Sequence, residues 1–171
     1  MMAKWNLDAS HSEVQFKVKH MVISTVTGSF DQFTATAESN ADDFTDAKFT
    51  FSADVTSINT KNADRDGHLK SDDFFSADQY PQIRFESNTG IVDGKISGEI
   101  EIKGSKQPIV LSADFGGEIV DPWGMTRVGF EFEGEINRKD FGLSWTATTE
   151  AGGLVVSDKV KLLVNLEFVK A

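Results

Sequence analysis

Along most of this chain apolar and polar residues alternate one for one, the period of a strand with a single buried face. In VQFKVKH, Val14, Phe16, Val18 and His20 share one face, and Gln15, Lys17 and Lys19 share the other. Upstream, Trp5, Leu7 and Ala9 sit at odd positions. The face therefore changes parity within ASHSE, as a β-bulge or a break between strands makes it do. The alternation returns in KFTFSADVTSI (Phe49, Phe51, Ala53, Val55), QIRFES (Ile83, Phe85) and KISGEIEIKG (Ile96, Ile100, Ile102). It continues in PIVLSADFGG (Ile109, Leu111, Ala113, Phe115), RVGFEFEGEIN (Val128, Phe130, Phe132, Ile136) and KVKLLVNLEFV (Val160, Leu162, Val164, Leu166, Phe168). With TGSFDQFTATAES, the pattern predicts about eight strands.

Connections between these runs are short. Asp93-Gly94 has the residues of a two-residue type I′ hairpin, and GSKQP at 104–108 joins two further runs closely enough to pair them antiparallel. The fold class expected is all-β, an antiparallel barrel, because closure removes the strand edges. Such an interior is either filled by side chains or holds one small ligand, and the pattern leaves both open. Two stretches interrupt it, 62–81 and 138–156. The first reads as a short helix and turn with Asn62 or Asp64 as N-cap. Both are long enough to serve as lids or rim elements at a barrel mouth.

At 171 residues the chain is the size of one domain, 1–171, with enough length to bury a core without disulfide or metal. Its net charge of −10 repels phosphate backbones and anionic lipid surfaces, so no nucleic-acid partner is expected. The absence of cysteine removes thiolate catalysis, iron–sulfur clusters and thiolate zinc sites. The start, MMAKWNLDASHS, has no apolar signal-peptide core, and no segment is long enough to span a bilayer, so stable membrane insertion is not expected. Fourteen phenylalanines stand against one tyrosine, an aromatic payload that favours a dry interior.

Candidate chemistry is sparse. Asn62–Asp73 approaches a calcium-loop pattern, with oxygen-bearing residues at loop positions one, three, five and twelve and Gly67 at six. It departs from that pattern in Asn62, in Asp73 and in the strand-like residues before it. His11 beside Glu13, or His68 beside Asp66, could form an acid–base pair, but no nucleophile elbow or metal-ligand spacing accompanies either. His20, on an apolar strand face, fits a core histidine. Of the four arginines, Arg65 and Arg138 open the two irregular stretches, where a cation could hold a phosphate or polar head group. Arg84 and Arg127 fit simple pairing with neighbouring carboxylates.

The order W5-N-L-D8, H11-S12-E-V-Q-F16, G28-S-F30, S57-I58-N-T60, R65-D66-G-H68-L69, D72-D73-F74-F75, Y80-P81 and N137-R138-K-D140-F141-G142 resembles the YceI-like family of polyisoprenoid-binding proteins over nearly the whole chain. The resemblance implies a lipocalin-like extended antiparallel eight-stranded β-barrel with one or two short helices. It also implies a tunnel for an isoprenoid quinone, polyprenyl phosphate or long-chain acyl amide, bound without catalysis and without a cofactor or metal. Ligand-binding candidates on that basis are Phe16, Val18, His20, Phe49, Phe51, Phe85, Ile100, Ile102, Phe115, Phe130, Phe132 and Leu162 inside, with Arg65, His68 and Arg138 at the mouth. The alternatives carried are an enzyme using His68 or His11 as acid or base, and a calcium-responsive module. A homodimer is left open. Many relatives are periplasmic; here Met1-Met2 reads as an added start before a native one, giving a cytoplasmic expectation, or a periplasmic one if a signal peptide has been removed.

Overall fold

The computed structural model describes residues 2–145 and 156–171. Eleven strands are β1 (Ala3–Leu7), β2 (Glu13–His20), β3 (Ser24–Phe30), β4 (Phe33–Ser39), β5 (Lys48–Asp54), β6 (Ile58–Asn59), β7 (Gln82–Ser87), β8 (Lys95–Ile102), β9 (Ser105–Val120), β10 (Thr126–Asn137) and β11 (Val156–Lys170). Among the described residues there is one α-helix, α1 (Ala63–Lys70), before β7. Eight strands pair in the order β1-β4-β5-β7-β8-β9-β10-β11, and β11 pairs back to β1, closing the ring. Every neighbouring pair is antiparallel.

The three additional strands are continuations of ring strands. β11 runs beside both β1 (Leu7↔Phe168) and β2 (Val14↔Val164), so β1 and β2 form one long strand broken by a 3-10 turn at Ala9–His11. That turn absorbs the parity change expected in ASHSE, and Asp8 caps it by accepting from Ser10 N at 3.1 Å. β3 and β4 are divided at Asp31-Gln32, where the buried face passes from Phe30 to Phe33 and Ala35. β5 and β6 are divided by a 3-10 turn at Val55–Ser57.

The breaks leave a seam in the wall. β1 pairs with β4 as far as Asn6↔Thr36, and β2 pairs with β3 from Gln15↔Ser29 onward. Between them, among the described residues, Leu7–Val14 has no ladder to Phe30–Ala35.

The hairpin expected at Asp93-Gly94 is present, with φ of 52° and 71°. The β8–β9 connection is tighter than GSKQP suggested. Lys103 and Gly104 alone make the turn, both at positive φ, so Ser105–Pro108 already lies in β9 and pairs with β8. In 62–81, Asn62 caps α1 by accepting from Arg65 N at 3.0 Å. Asp64 and Asp66 occupy its first turn and His68 and Lys70 its last, matching the helix dipole at both ends. The calcium-loop reading fails on the same geometry: Asn62–Asp73 is mostly helix, and the Asp66 carboxylate is taken by Thr60 N and Thr60 Oγ1.

Candidate functional site, an apolar cavity in a half-filled barrel

Two packed clusters divide the interior along the barrel axis. One end is closed by aromatic rings: Trp5, Phe44, Phe49, Phe130, Phe132 and Phe168, with Phe115 against them. Phe130 sits among Phe44 at 5.0 Å, Phe49 at 5.2 Å and Phe115 at 5.2 Å between centroids. The other cluster holds Val14, Phe30, Val55, Ile58, Phe74, Ile100, Ile102 and Phe141, with Trp145 and Leu69 on its margin.

Between them lies a cavity of about 100 Å³. Its walls include Phe16, Phe49, Phe51, Phe85, Ile100, Ile102, Phe132 and Leu162, all among the candidates that the apolar strand faces and the family resemblance together had suggested. Phe30, Ala53, Ile83, Ile109 and Leu166 also line it, and alternation had already put four of these five on apolar strand faces. Among the described residues, Gln15 and Thr50 are the only polar ones in the lining. Phe115 and Phe130 belong to the aromatic plug, and neither Val18 nor His20 reaches the cavity, because they lie on the β2–β3 hairpin toward its tip.

A groove of about 820 Å³ lies at the seam outside the wall, lined by residues 9–14 and 29–34 with Ser52, Asp54, Gln82 and Asn165. Val14 and Phe30 line both groove and cavity, so side chains rather than a strand ladder separate the two spaces there.

Comparison with known proteins places this barrel. The YceI-like domain family matches residues 5–168. The chain belongs to the YceI-like family. A UPF0312 protein of Staphylococcus aureus is 36% identical over 168 residues, covering 98% of each chain. The structure of the YceI protein of Campylobacter jejuni matches at 31% identity and a TM-score of 0.77, covering 90% of each chain. Burkholderia cenocepacia BcnA shares the fold at 19% identity and a TM-score of 0.82, over 95% of this chain and 99% of its own. So does a domain from Saccharophagus degradans described as polyisoprenoid binding, at 19% identity and a TM-score of 0.71 over the whole of both chains.

The two motif stretches of this YceI-like chain act on its loops. Arg65 donates from Nε to Thr60 Oγ1 at 2.8 Å and from Nη2 to Thr60 O at 2.6 Å, tying α1 to the end of β6. His68 Nε2 lies 2.8 Å from Asp73 Oδ2, and its ring stands edge-on to Phe74 at 5.1 Å and Trp145 at 4.9 Å. Asn137 caps the 3-10 turn Arg138–Phe141, and Gly142 leaves it at φ 74°. Arg138 is buried and, among the described residues, donates to main-chain carbonyls, at Leu143, Trp145, Val156 and Ser157. None of Arg65, His68 and Arg138 lines the cavity. Of the 138–156 stretch considered as a lid, residues 146–155 lie outside the described residues.

His11 joins a charge network at the seam. Arg127 reaches Asp121 Oδ2 and Asp8 Oδ2 at 2.7 Å each and Glu167 Oε2 at 2.9 Å, while His11 Nδ1 is 2.8 Å from Asp8 Oδ2. Asp8, His11 and Glu167 are close enough together to hold a metal ion, but the guanidinium already occupies both carboxylates. Pairing of Arg127 with its neighbours was the plainer expectation and is what the geometry contains. Hydrogen bonds from Ser10, His11 and Arg127 hold Asp8 well below the usual carboxylate range, and Arg127 lowers Asp121. Carboxyls lowered by folding add stability that is complete above their unfolded value near pH 4 and drains as the pH falls through the folded one. Arg127→Gln is therefore expected to lower the urea midpoint most at neutral pH, with the gap from wild type narrowing toward about pH 3. A constant gap would show that the network adds no charge-linked stability.

Proposed function

We infer that this chain binds and carries, or sequesters, a long apolar ligand without transforming it; an isoprenoid quinone, a polyprenyl phosphate and a long-chain acyl amide are the three chemistries in view. The observation that carries this reading is the nearly wholly apolar cavity at the centre of a closed barrel. A hydrocarbon chain meets no unpaired polar group in such a space and gains roughly 0.8 kcal/mol per buried CH₂ before ordering costs. The binding described for the Saccharophagus degradans domain, which has the same fold, supports the isoprenoid class. Both imagined acid–base histidines lie off the lining, which supports a role without catalysis.

A cavity of about 100 Å³ is small beside the roughly 300–1,000 Å³ of ligand pockets. Loading a long chain therefore requires half-buried rings such as Phe51 and Phe85 to swing outward. Phe16 has no such latitude toward β3, because the tip of its ring covers Gly28, its cross-strand partner: a Cβ there would stand 2.2 Å from Cζ.

The test is native mass spectrometry and lipid extraction of the purified protein, then addition of a quinone and a polyprenyl phosphate. The expected result is a one-to-one complex whose ligand is recovered chemically unchanged. Gly28→Ala, which drives the Phe16 ring into the cavity, is expected to weaken that complex by roughly tenfold, the size of a packing conflict of 1–3 kcal/mol. A cavity that stays empty with every added lipid overturns the reading, and a product with altered mass overturns its non-catalytic part.

A further inference from the structure

The apolar residues most exposed on this barrel stand at hairpin tips. On β2–β3, Met21, Val22 and Ile23 are 43%, 70% and 87% exposed. Ile23 N donates to His20 O at 3.2 Å, closing a two-residue turn whose central residues, Met21 and Val22, have φ of 52° and 67°. Those positions favour asparagine or glycine, and a β-branched residue at positive φ is an outlier. Three apolar side chains suited neither to this backbone nor to water point to a contact made by the tip. Among the described residues the hairpin is unpaired on its β3 side, since β3 pairs with β6 only at Ser29 and Phe30, while β2 stays paired with β11 as far as His20.

The charge around this tip runs against that of the whole molecule. From Val14 to Phe30 there are two lysines and no carboxylate, on a chain of net charge −10. Lys17 lies directly across from Lys161, like charges that a strand pair does not choose for its own stability, while Glu135 faces Lys161 from its other side. Lys159 and Lys139 stand close by, on β11 and on the turn that follows β10. Their nearby carboxylates are Glu135, 3.8 Å from Lys159, Asp158, 3.4 Å from Lys139, and Asp140. With Glu133, one pair along β10 from Glu135, four acids stand against five lysines among the described residues, an excess of one positive charge.

We propose that the β2–β3 hairpin is a membrane-docking finger, with Met21, Val22 and Ile23 entering the headgroup layer of an anionic bilayer and Lys17, Lys19 and Lys161 lying against its phosphates. An apolar tip and a basic flank are the paired signals that give reversible attachment without a spanning segment. The aromatic plug at Phe44 and Phe130 closes one end of the interior, and the finger, whose strand β2 carries Phe16 of the cavity wall, stands at the opposite end of β11. The β9–β10 hairpin exposes Trp123 (82%), but the charges near it are Glu118 and the Asp121–Arg127 pair, with no lysine from 115 to 128 to meet an anionic surface. Use of the finger for lipid exchange rests on the carrier reading above; docking itself does not.

The experiment is flotation of the full chain, stripped of co-purified lipid, with phosphatidylcholine vesicles and with vesicles containing about one-third phosphatidylglycerol. Recovery is expected to be about tenfold or more higher on the anionic vesicles and to fall in high salt. Val22→Asp with Ile23→Asp, at exposed positions, is expected to remove it, and each of Lys17→Gln and Lys161→Gln to cost about fivefold. Trp123→Ala should change nothing. Equal recovery on both vesicle types, no loss with the aspartates, or loss with Trp123→Ala overturns the finger. Native mass spectrometry on the same samples separates the two ideas: flotation with a cavity that never loads sinks the carrier reading alone, and a loaded cavity without flotation sinks the finger alone.

Discussion

Phe130→Ala is expected to lower the unfolding free energy by about 3–5 kcal/mol, the cost of removing a fully buried ring and leaving a void behind it. The side chain is 2% exposed, and its ring lies within 6.0 Å, centroid to centroid, of Phe44, Phe49, Phe115, Phe132 and Phe168. Those partners come from the Asn40–Ala47 connection, β5, β9, β10 and β11, so no single segment can collapse into the space. Against a total stability of roughly 5–15 kcal/mol the loss is large, and it should lower Tm by about 10 °C. Phe130→Leu, which keeps most of the volume, is expected to cost well under half as much. Urea unfolding with an unchanged m-value measures both. A cost below about 1 kcal/mol for the alanine would mean that the plug is loosely packed and that the cavity extends through it.

The strands were legible because alternation records which face is buried, and the break at Ala9–His11 because the parity change from Trp5 and Leu7 to Val14 and Phe16 requires one. Depth along the barrel was not legible. Phe51 and Phe130 have the same local signature, an aromatic on the apolar face of an alternating run. Only register and shear place Phe51 at the cavity and Phe130 in the plug. Phe44 was invisible for a different reason. It sits in SNADDFTD, with no alternation around it and a φ of 60°, and it is buried only because ring closure brings Trp5, Phe115 and Phe130 to it. The seam was half legible: Phe30 to Phe33 and Val55 to Ile58 are parity changes of the same kind as ASHSE. Their alignment beside Ala9–His11 depends on pairing between strands. For the rim, residue type suggested cations that could meet a head group, whereas Arg65 donates to the Thr60 hydroxyl and carbonyl and Arg138 to main-chain carbonyls, partners that leave no trace in composition.

That difference makes Arg138→Met the second large expected effect and a test of what the arginine holds. Its guanidinium, 3% exposed, donates to Leu143 O and Trp145 O at 2.6 Å each, to Ser157 O at 3.0 Å and to Val156 O at 3.3 Å. It thereby ties the segment following β10 to the start of β11, with Asp158 Oδ1 3.6 Å away. Burial pulls its pKa down while Asp158 opposes the shift, and a group that starts above 12 keeps its proton at neutral pH. Methionine fills a similar space but leaves these buried and half-buried carbonyls without their donor, so a loss of about 3–4 kcal/mol is expected. Lysine, a point charge without the planar fork, should recover little of it. Cleavage by a broad-specificity protease between Leu143 and Ser157 is expected to rise at least about tenfold, since local opening there no longer breaks the clamp. Because every observed donor contact of Arg138 is to the chain itself, Arg138→Met should change affinity for a polyprenyl phosphate and for the corresponding neutral polyprenol by the same factor. A selective loss of the phosphate would instead make Arg138 a head-group ligand and place the mouth of the cavity at the 138–145 segment.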